Sequence, residues 1–369
     1  LKHREREFCV LSFNIFFGSG DKPDRINYIL GGCCLFISRK SVGLDVGSQS
    51  LKLVEIRRHG DTGTVKTFGQ IATPTGMVEN GLINNPEEVG QELGKLVEQL
   101  KLKGSRVISA LSGQQVYTRL MTLPAMPHDD MRTAALYQAT SFLPINIDDV
   151  TADIYPVREF EDSEGKMVEV FFVAARKTQA ENLVKTCQIA GLKLTRLEIE
   201  PLALKTMYQP QISKDKVYGI INIGAQRSYL SIFQDNNPVF LRSIAFGCLA
   251  FYLQIPRMAE NECRLEDLNV EDPECTSLLR NLIDELMRSL DYFRLQNKED
   301  SIINMILCGG CARLGGIDKL LSQELGIPVQ RGSIEQLIKL PKNIAEEQIN
   351  DLRFDYPVAL GLALRGEHK

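Results

Sequence analysis

The chain has 369 residues, of which 44% are hydrophobic and 24% are charged, and its formal net charge at pH 7 is −4. These values fit a soluble protein of about two domains, and the mild acidity argues against a general nucleic-acid-binding surface. No apolar run reaches the roughly 18 residues of a membrane-spanning helix, and the cysteines show no disulfide-scaffold spacing, which favours the cytoplasm.

Residues 1–40 contain two short apolar runs, FCVLSFNIFF and INYILGGCCLFI, separated by GSGDKPDR. The first run follows the charged leader LKHRERE, as the apolar region of a signal peptide would. However, that leader mixes acids with bases and no clean cleavage site follows. We therefore expect residues 1–40 to be an extension outside the folded core, with a membrane-touching tail as the alternative.

The segment VGLDVGSQSLKLVEI, residues 42–56, predicts two buried strands and a turn at Gly47, with Asp45 just before the turn. Residues 217–233, VYGIINIGAQRSYLSIF, repeat this pattern about half a chain later. Turns rich in Gly, Ser and Ala expose backbone N–H groups that can cradle phosphate. Either copy alone favours an ordinary hairpin, but two copies favour two similar lobes that face each other. The predicted phosphate-binding residues are Gly47, Ser48, Gln49, Ser50, Gly224, Ala225 and Gln226.

Strands and helices alternate between and beyond these hairpins, which predicts an α/β fold. The pattern predicts helices over 86–104, ended by Gly104, and over 128–142. Residues 256–276 are acidic and irregular, so we expect a solvated outer surface, with a partner-docking face as the alternative.

A third glycine site lies in IINMILCGGCARLGGI, residues 302–317. The pattern predicts a buried strand, a turn at Gly309 and Gly310, and then an amphipathic helix. A Gly-Gly turn lets the backbone approach a flat ligand such as a purine or a ribose. Cys308 and Cys311 form a CxxC pair, so a redox or zinc site is an alternative, but no second CxxC accompanies it.

Two glycine hairpins and a late strand–Gly-Gly–helix element resemble the actin-like ATPase superfamily. LEIEPLAL, 197–204, resembles its connecting helix, which implies that Glu200 orients water near the γ-phosphate. LMRSLDYF resembles the helix that covers the adenosine, which implies contacts from Asp284 and Arg288. FDYPVALGLALR resembles the final connecting helix, in which Gly361 allows close packing.

Longer phrases resemble the PilM family, the cytoplasmic actin-like proteins of type IV pilus assembly. They are SRKSVGLDVGSQSLKLVEI, VISALSGQQVYTRLMTLPAMP, YQATSFLPINIDDVTADIYPV and VEVFFVAARKTQAENLVKTCQIAGLKLTRLEIEP, and the resemblance covers about residues 38–366. It implies an actin-like two-lobed ATPase fold with an FtsA-type 1C subdomain. The implied divisions are 1A at 41–113, 1C at 114–195, the 1A connecting helix at 196–210, 2A at 211–247, 2B at 248–301, 2A again at 302–340, and the 1A C-terminal helix at 341–369.

The resemblance implies ATP and Mg²⁺ as ligands, with Asp45 and Glu200 in the catalytic roles and Asp45 and Asn222 beside the metal. Asn222 stands where the family usually has a second Asp, and a neutral amide is the poorer partner for Mg²⁺-bound water. Lys52 either reaches a phosphate or is a solvated strand lysine. We therefore expect nucleotide binding with slow ATPase activity at most.

The resemblance also implies a partner, the cytoplasmic N-terminal tail of a PilN-like inner-membrane protein, so that the chain would be peripheral at that membrane through its partner. The candidate groove residues are Val116, Leu120, Tyr137, Phe142 and Leu143. Taken singly, each of them fits the core of 1C better than the groove. Self-association into a homo-oligomer is compatible with this scheme.

Three alternatives belong to other classes. A small-molecule kinase of the superfamily needs a cleft Asp as general base and a substrate pocket, and the sequence offers no motif for either. FtsA-like tethering needs a C-terminal amphipathic helix, and the cytoplasmic domain of a type II secretion protein is normally followed by a membrane span. Neither is expected from this sequence.

Overall fold

The computed structural model describes residues 39–163, 165–212, 216–235, 237–260, 262–297 and 301–366. Most of the expected N-terminal extension lies outside this part of the chain, although residues 39 and 40 belong to the first strand rather than to an extension. Within the described residues, no helix is both long enough and apolar enough to cross a membrane.

The elements alternate along the chain as an α/β fold requires. The strands are β1 (Arg39–Val46), β2 (Ser50–His59), β3 (Thr62–Ala72), β4 (Val78–Glu79), β5 (Leu82–Ile83), β6 (Arg106–Leu111), β7 (Val116–Pro124), β8 (Val150–Asp162), β9 (Gly165–Arg176), β10 (Lys193–Ile199), β11 (Val217–Ile223), β12 (Ser228–Gln234), β13 (Asn237–Ile244), β14 (Ile302–Cys308), β15 (Val329–Arg331) and β16 (Ile338–Lys339). The helices are α1 (Pro86–Gln99), α2 (His128–Ala139), α3 (Lys177–Ile189), α4 (Glu200–Tyr208), α5 (Leu249–Gln254), α6 (Pro256–Ala259), α7 (Pro273–Gln296), α8 (Ile317–Leu325), α9 (Glu346–Phe354) and α10 (Pro357–Arg365).

Two large sheets share one topology. The first sheet has the order β10-β6-β1-β2-β3-β16, and the second has β15-β14-β11-β12-β13. In each, three antiparallel strands begin the unit and two later strands add in parallel on the side of the first of them. The first sheet alone gains a further parallel strand, β16, beside β3. The internal repeat predicted from the two glycine hairpins therefore extends over whole sheets, and we call these sheets with their helices the first and second lobes.

A third sheet, β7-β9-β8, stands beside the first lobe and is covered on one face by α2. Alternate residues of β9 point to different cores: Phe171 and Val173 join the core of the first lobe, whereas Val170 and Phe172 pack in the smaller core beneath α2. This sheet and α2 lie within the residues predicted from the sequence to form the 1C subdomain. That prediction also includes residues 177–195, and these form α3 and the start of β10, which contact α1 and β6 of the first lobe.

Two predicted helices are shorter than expected. α1 ends at Gln99, and Lys101 has a φ of 57°, so the chain leaves the helix before Gly104. α2 ends at Ala139, and Phe142 lies beyond it. In both cases the apolar pattern continues past the helix because the next residues still pack against the same core.

The two connecting helices cross at close range. A Cβ added to Gly361 of α10 would lie 2.0 Å from the carbonyl oxygen of Ala203 in α4, so only glycine allows this crossing. Arg365 at the end of α10 pairs with the fully buried Glu198 at an Nε–Oε1 distance of 3.2 Å. The close packing expected at Gly361 is therefore present, and it joins α10 to the strand that leads into α4.

Candidate functional site

A cavity of about 480 Å³ lies between the two lobes, at the ends of the strands that carry the glycine turns. Turns from both hairpins line it, and so does the Gly-Gly turn that follows β14. The predicted site residues that meet there are Asp45, Gly47, Ser48, Gln49, Ser50, Lys52, Glu200, Asn222, Gly224, Ala225, Gln226, Gly309 and Gly310. Three turns far apart in sequence thus face one cavity.

The two hairpin turns have matching backbone geometry. The N–H of Gly47 donates to the carbonyl of Ser50 at 3.1 Å, and the N–H of Gly224 donates to that of Arg227 at 3.0 Å. A Cβ at either glycine would meet the same carbonyl at 2.9 Å or 3.0 Å. Both turns are therefore too tight for a residue larger than glycine unless the backbone shifts. The two hairpins thus resemble each other even in a single backbone hydrogen bond.

Gly309 brings the third turn against the second hairpin. Its φ is 88°, a conformation that favours glycine, and a Cβ there would lie 2.4 Å from both Asn222 Oδ1 and the carbonyl oxygen of Ile223. Gly310 is less constrained, because its nearest neighbours would be Cys248 Sγ at 3.5 Å and Asp355 Oδ1 at 3.7 Å. The backbone next to Gly310 is consequently open to a ligand in the cavity.

The polar centre of the cavity consists of two linked pairs. Lys52 Nζ lies 3.4 Å from Asp45 Oδ2, across the first hairpin, where the two residues are direct cross-strand partners. Asn222 Nδ2 donates a hydrogen bond to Glu200 Oε1, which joins the second hairpin to the N-terminus of α4. The site thus places one ammonium, two carboxyl groups and one amide between the lobes.

Burial controls the charge of Glu200. It raises the pKa of this carboxyl to about 7, and the nearby Asp45 adds to the increase, while the Asn222 hydrogen bond and Lys52 oppose it. A carboxyl with such a pKa exchanges protons near neutral pH, as a general base requires.

The residues present fit a triphosphate better than a metal alone. Among the described residues, no three His, Cys, Asp or Glu side chains cluster as a metal site. The tight glycine turns and the Lys52 ammonium suit phosphate oxygens. Mg²⁺ is usually held by one or two carboxylates with its remaining positions filled by water and phosphate, and Asp45 provides an oxygen of that kind.

Two residues assigned to the adenosine contact do not reach the cavity. Asp284 and Arg288 lie on the exposed face of α7, and Arg288 pairs with Glu285 at 2.6 Å. The inward face of the helix is apolar, with Leu282, Leu286 and Leu290 buried. That assignment is therefore corrected: at i and i+4 the two residues share a face, but it is the solvent face.

The candidate groove residues fall on two faces of the third sheet. Val116 and Leu120 pack against the first-lobe core, whereas Phe142 and Leu143 belong to the core beneath α2. Tyr137 lies on the outside of α2 with 77% of its surface exposed. These five side chains do not form one groove, because Val116 and Leu120 share the face of β7 that packs on the first lobe, whereas the other three lie on α2 or just after it.

The sequence missed several residues that complete the cavity. Across its opening, Arg227 Nη1 donates to Asn80 Oδ1 at 3.2 Å, and the N–H of Gly113 donates to the Tyr229 hydroxyl at 2.7 Å. The sequence shows a polar residue beside each of two glycine turns, since Arg227 follows the second hairpin turn and Asn80 precedes Gly81. It does not show that these two side chains contact each other, because that contact depends on how the two lobes are placed. Further wall residues without a sequence signal include Tyr252, Phe354 and Asp355.

The CxxC pair is structural. Cys308 and Cys311 are both buried and free, and burial raises the pKa of each thiol well above its usual range. Thiolate is the form that attacks disulfides, so a redox role does not suit this pair. Among the described residues, the two cysteines also belong to no cluster of three side chains that could hold a metal ion.

Comparisons with known proteins agree with this geometry. The family described as "Type IV pilus assembly protein PilM" matches residues 43–367. A solved structure of a "PilM-PilN type IV pilus biogenesis complex" is 27% identical with a TM-score of 0.80, over 90% of this chain and 100% of that chain. The ethanolamine utilization protein EutJ from Carboxydothermus hydrogenoformans is 16% identical with a TM-score of 0.51, over 89% of this chain and 90% of that chain. The predicted actin-like α/β fold is confirmed.

Proposed function

This chain belongs to the type IV pilus assembly protein PilM family, and from that premise we propose that it is an ATP-binding scaffold that binds the cytoplasmic N-terminal tail of a PilN-like inner-membrane protein. The observation that carries the nucleotide half is the convergence of three glycine turns on one cavity. The partner half is supported by the similarity to the PilM-PilN complex. The chain would work in the cytoplasm, at the inner membrane through its partner.

ATP would lie across the cavity with its phosphates between the two hairpin turns. The turns around Gly47 and Gly224 offer backbone N–H groups from both lobes, and Lys52 adds a positive charge beside the first. Asp45 and the Asn222 oxygen would face hydrated Mg²⁺, which would neutralise phosphate charge. The adenosine would lie beside Gly309 and Gly310, where backbone approaches the cavity closely.

Hydrolysis would be slow. Glu200 is the candidate to orient the attacking water, and with a pKa of about 7 it is about half deprotonated at neutral pH, so the limit on the rate is expected to come from Asn222 and not from the charge of Glu200. Asn222 adds no charge where the resemblance leads us to expect a carboxylate. Binding depends less on these two groups, because backbone N–H groups supply the phosphate contacts.

Thermal unfolding with and without Mg-ATP tests the nucleotide half. We expect ATP to raise the Tm of the wild type, because a ligand that binds only the folded state stabilises it. Ser48→Asp places a negative charge in the first turn and should abolish the increase, whereas Ser141→Asp, at an exposed position on the third sheet's side of the molecule, should retain it. Gly309→Val should also abolish it. A wild type whose Tm does not respond to ATP would exclude the proposal.

The partner tail would bind at the outer side of the third sheet. Among the described residues, β7 pairs only with β9, while β13 of the second lobe also contacts β7. We place the extended peptide on the part of the unpaired β7 edge that β13 does not cover. Arg119 of β7 lies over the ring of Phe142, 4.5 Å from its centroid, and Tyr137 stands exposed on the neighbouring α2. We assign the first contacts of the tail to this edge and these side chains; Val116 and Leu120 would act by holding β7 in place.

Fluorescence anisotropy with a labelled N-terminal peptide of the neighbouring PilN-like protein tests this half. Tyr137→Ala should weaken binding by about tenfold, since exposed aromatic residues dominate such interfaces. Tyr292→Ala is the matched control, because this tyrosine is 51% exposed but lies on α7 in the second lobe. If both variants bind the peptide with the affinity of the wild type, the peptide does not bind at Tyr137 on α2.

A further inference from the structure

A buried glutamine joins two loops at the wall of the cavity between the lobes. Gln179 is 3% exposed, and its Nε2 donates one hydrogen bond to the Gly81 carbonyl at 3.0 Å and another to the Ser112 carbonyl at 2.7 Å. Gly81 and Ser112 line the cavity, whereas Gln179 is not among the residues that line it. One side-chain amide therefore holds two segments of the cavity wall that are distant in sequence.

The position of Gln179 in the chain explains how it reaches both loops. β9 ends at Arg176 and α3 begins at Lys177, so Gln179 belongs to the first turn of α3. Helical side chains point towards the N-terminal end of their helix, and from the first turn such a side chain extends past the end of the helix. Burial of an amide is unfavourable unless it forms hydrogen bonds, and the two loop carbonyls supply them.

The two loops also touch each other directly, through glycine. A Cβ added to Gly81 would collide with the Ser112 carbonyl oxygen, and one added to Gly113 would collide with that of Asn80. Both glycines have a positive φ, 80° and 97°, which favours glycine. The loops therefore form one closely packed unit, and Gln179 fastens this unit to α3.

The same two loops carry contacts between the lobes. Arg227 Nη1 of the second lobe donates to Asn80 Oδ1 at 3.2 Å, and the Gly113 N–H donates to the Tyr229 hydroxyl at 2.7 Å. Asn80 and Gly113 each directly adjoin a residue whose carbonyl Gln179 holds. The spacing of these two contacts on the first lobe is thus set by a single side chain.

We propose that Gln179 is a positioning residue, which holds Asn80 and Gly113 at the spacing that Arg227 and Tyr229 require and so keeps the lobes in contact at the opening of the cavity. This role in nucleotide exchange rests on the proposed binding of ATP in that cavity. A contact that has to open both for entry and for release slows the two rates equally and leaves the affinity unchanged. Gln179 would thus control the speed of nucleotide exchange without touching the nucleotide.

Stopped-flow measurements with a fluorescent ATP analogue on the full chain test the proposal. Gln179→Met removes both donors and keeps an unbranched side chain of similar length, so we expect association and dissociation to accelerate together by about fivefold, the effect of one lost hydrogen bond. Asn182→Leu is the matched control, because Asn182 lies one turn further along α3 and donates at 2.8 Å to the carbonyl of Ile83, which does not line the cavity. The Tm of both variants should fall, but the rates of the control should equal those of the wild type. Unchanged rates for Gln179→Met, or equal acceleration in both variants, would overturn the proposal.

Asn80→Gly in the Gln179→Met background shows whether the two residues act at one contact. Because each substitution weakens the same bond to Arg227, the double variant should be little faster than Gln179→Met alone. Full multiplication of the two effects would show that Gln179 does not act through Asn80 and would also overturn the proposal.

Hydrogen exchange without nucleotide tests the positioning role independently of ATP. The N–H groups of Asn80 and Gly113 both donate to side chains of the second lobe, Gln226 Oε1 at 3.4 Å and the Tyr229 hydroxyl at 2.7 Å. In Gln179→Met these two N–H groups should exchange about fivefold faster than in the control variant, and equal exchange would overturn the assignment. A wild type that binds no ATP analogue would reject the proposed function, while the exchange rates would still decide the role of Gln179.

Discussion

At the scale of single residues, the cavity contains a carboxyl group that is shielded from water. Glu200 is buried at the start of α4, and its main stabilising contact is the amide of Asn222. Its folded-state pKa of about 7 exceeds the ordinary value of 4.5. The folded protein therefore binds a proton more tightly than the unfolded chain, and between pH 4.5 and 7 the free energy of unfolding falls as pH rises.

Glu200→Gln should remove this dependence. One pKa unit corresponds to about 1.4 kcal/mol, so at pH 8 we expect the variant to gain up to roughly 3 kcal/mol in free energy of unfolding, and to gain little at pH 4. Urea unfolding at the two pH values measures this. Glu98→Gln, at an exposed position on α1, is the control and should change neither value. A gain that is equal at both pH values would contradict a buried, titrating Glu200.

Asn222→Asp tests why hydrolysis should be slow. The new carboxylate would lie beside Glu200 and Asp45, so without Mg²⁺ we expect lower stability at pH 8 from like-charge repulsion. With Mg-ATP the added charge should strengthen metal binding and raise the rate of phosphate release several-fold. Asn222→Ala, which removes the amide without adding charge, should not raise the rate. If the Asp variant is no faster than the wild type, the amide is not what limits turnover.

At the scale of elements, the crossing of α4 and α10 depends on glycine. Gly361→Ala would drive a methyl group into the backbone of Ala203, and overpacking of this kind costs about 1–3 kcal/mol. Gly94→Ala is the matched control, since Gly94 also lies within a helix but its added Cβ would have 3.7 Å to the nearest atom. It should stabilise the protein by about 0.5–1 kcal/mol. Chemical denaturation measures the free energy of unfolding of both variants. A decrease for Gly361→Ala together with an increase for Gly94→Ala would show that the backbone contact at Gly361 outweighs the higher helix propensity of alanine.

Local patterns account for what the sequence could predict. The hairpins at 42–56 and 217–233 were predictable because apolar strands and a glycine turn are neighbours in sequence. The faces of longer elements were not: Asp284 and Arg288 lie on the face of α7 that no core covers, and alternate residues of β7 serve two different cores. Which face of an element is buried depends on the elements that pack against it, and these are distant in sequence. The local pattern of apolar residues does not identify them.

At the scale of the whole molecule, the two lobes meet on both sides of the cavity in which we propose that ATP binds. The connecting helices α4 and α10 form one side, while Arg227 and Tyr229 of the second lobe contact Asn80 and Gly113 of the first across the opening. The repeat predicted that the lobes face each other, but the contacts at the opening follow only from their relative placement. Because Asn80 and Arg227 both line the cavity, we expect a nucleotide that enters it to disturb this contact.

Asn80→Gly should therefore change the rates of ATP binding more than its affinity. Asn80 has a φ of 51°, which glycine adopts without strain, so the substitution removes the side-chain bond to Arg227 and leaves the backbone in place. A hydrogen bond of about 1 kcal/mol corresponds to roughly a fivefold change in rate, and we expect association and dissociation of a fluorescent ATP analogue to accelerate together by about that factor in stopped-flow measurements. Asn84→Ala is the control, because Asn84 bonds to Gly76 within the first lobe. Faster dissociation alone would show instead that Asn80 contacts the bound nucleotide and does not restrict its entry.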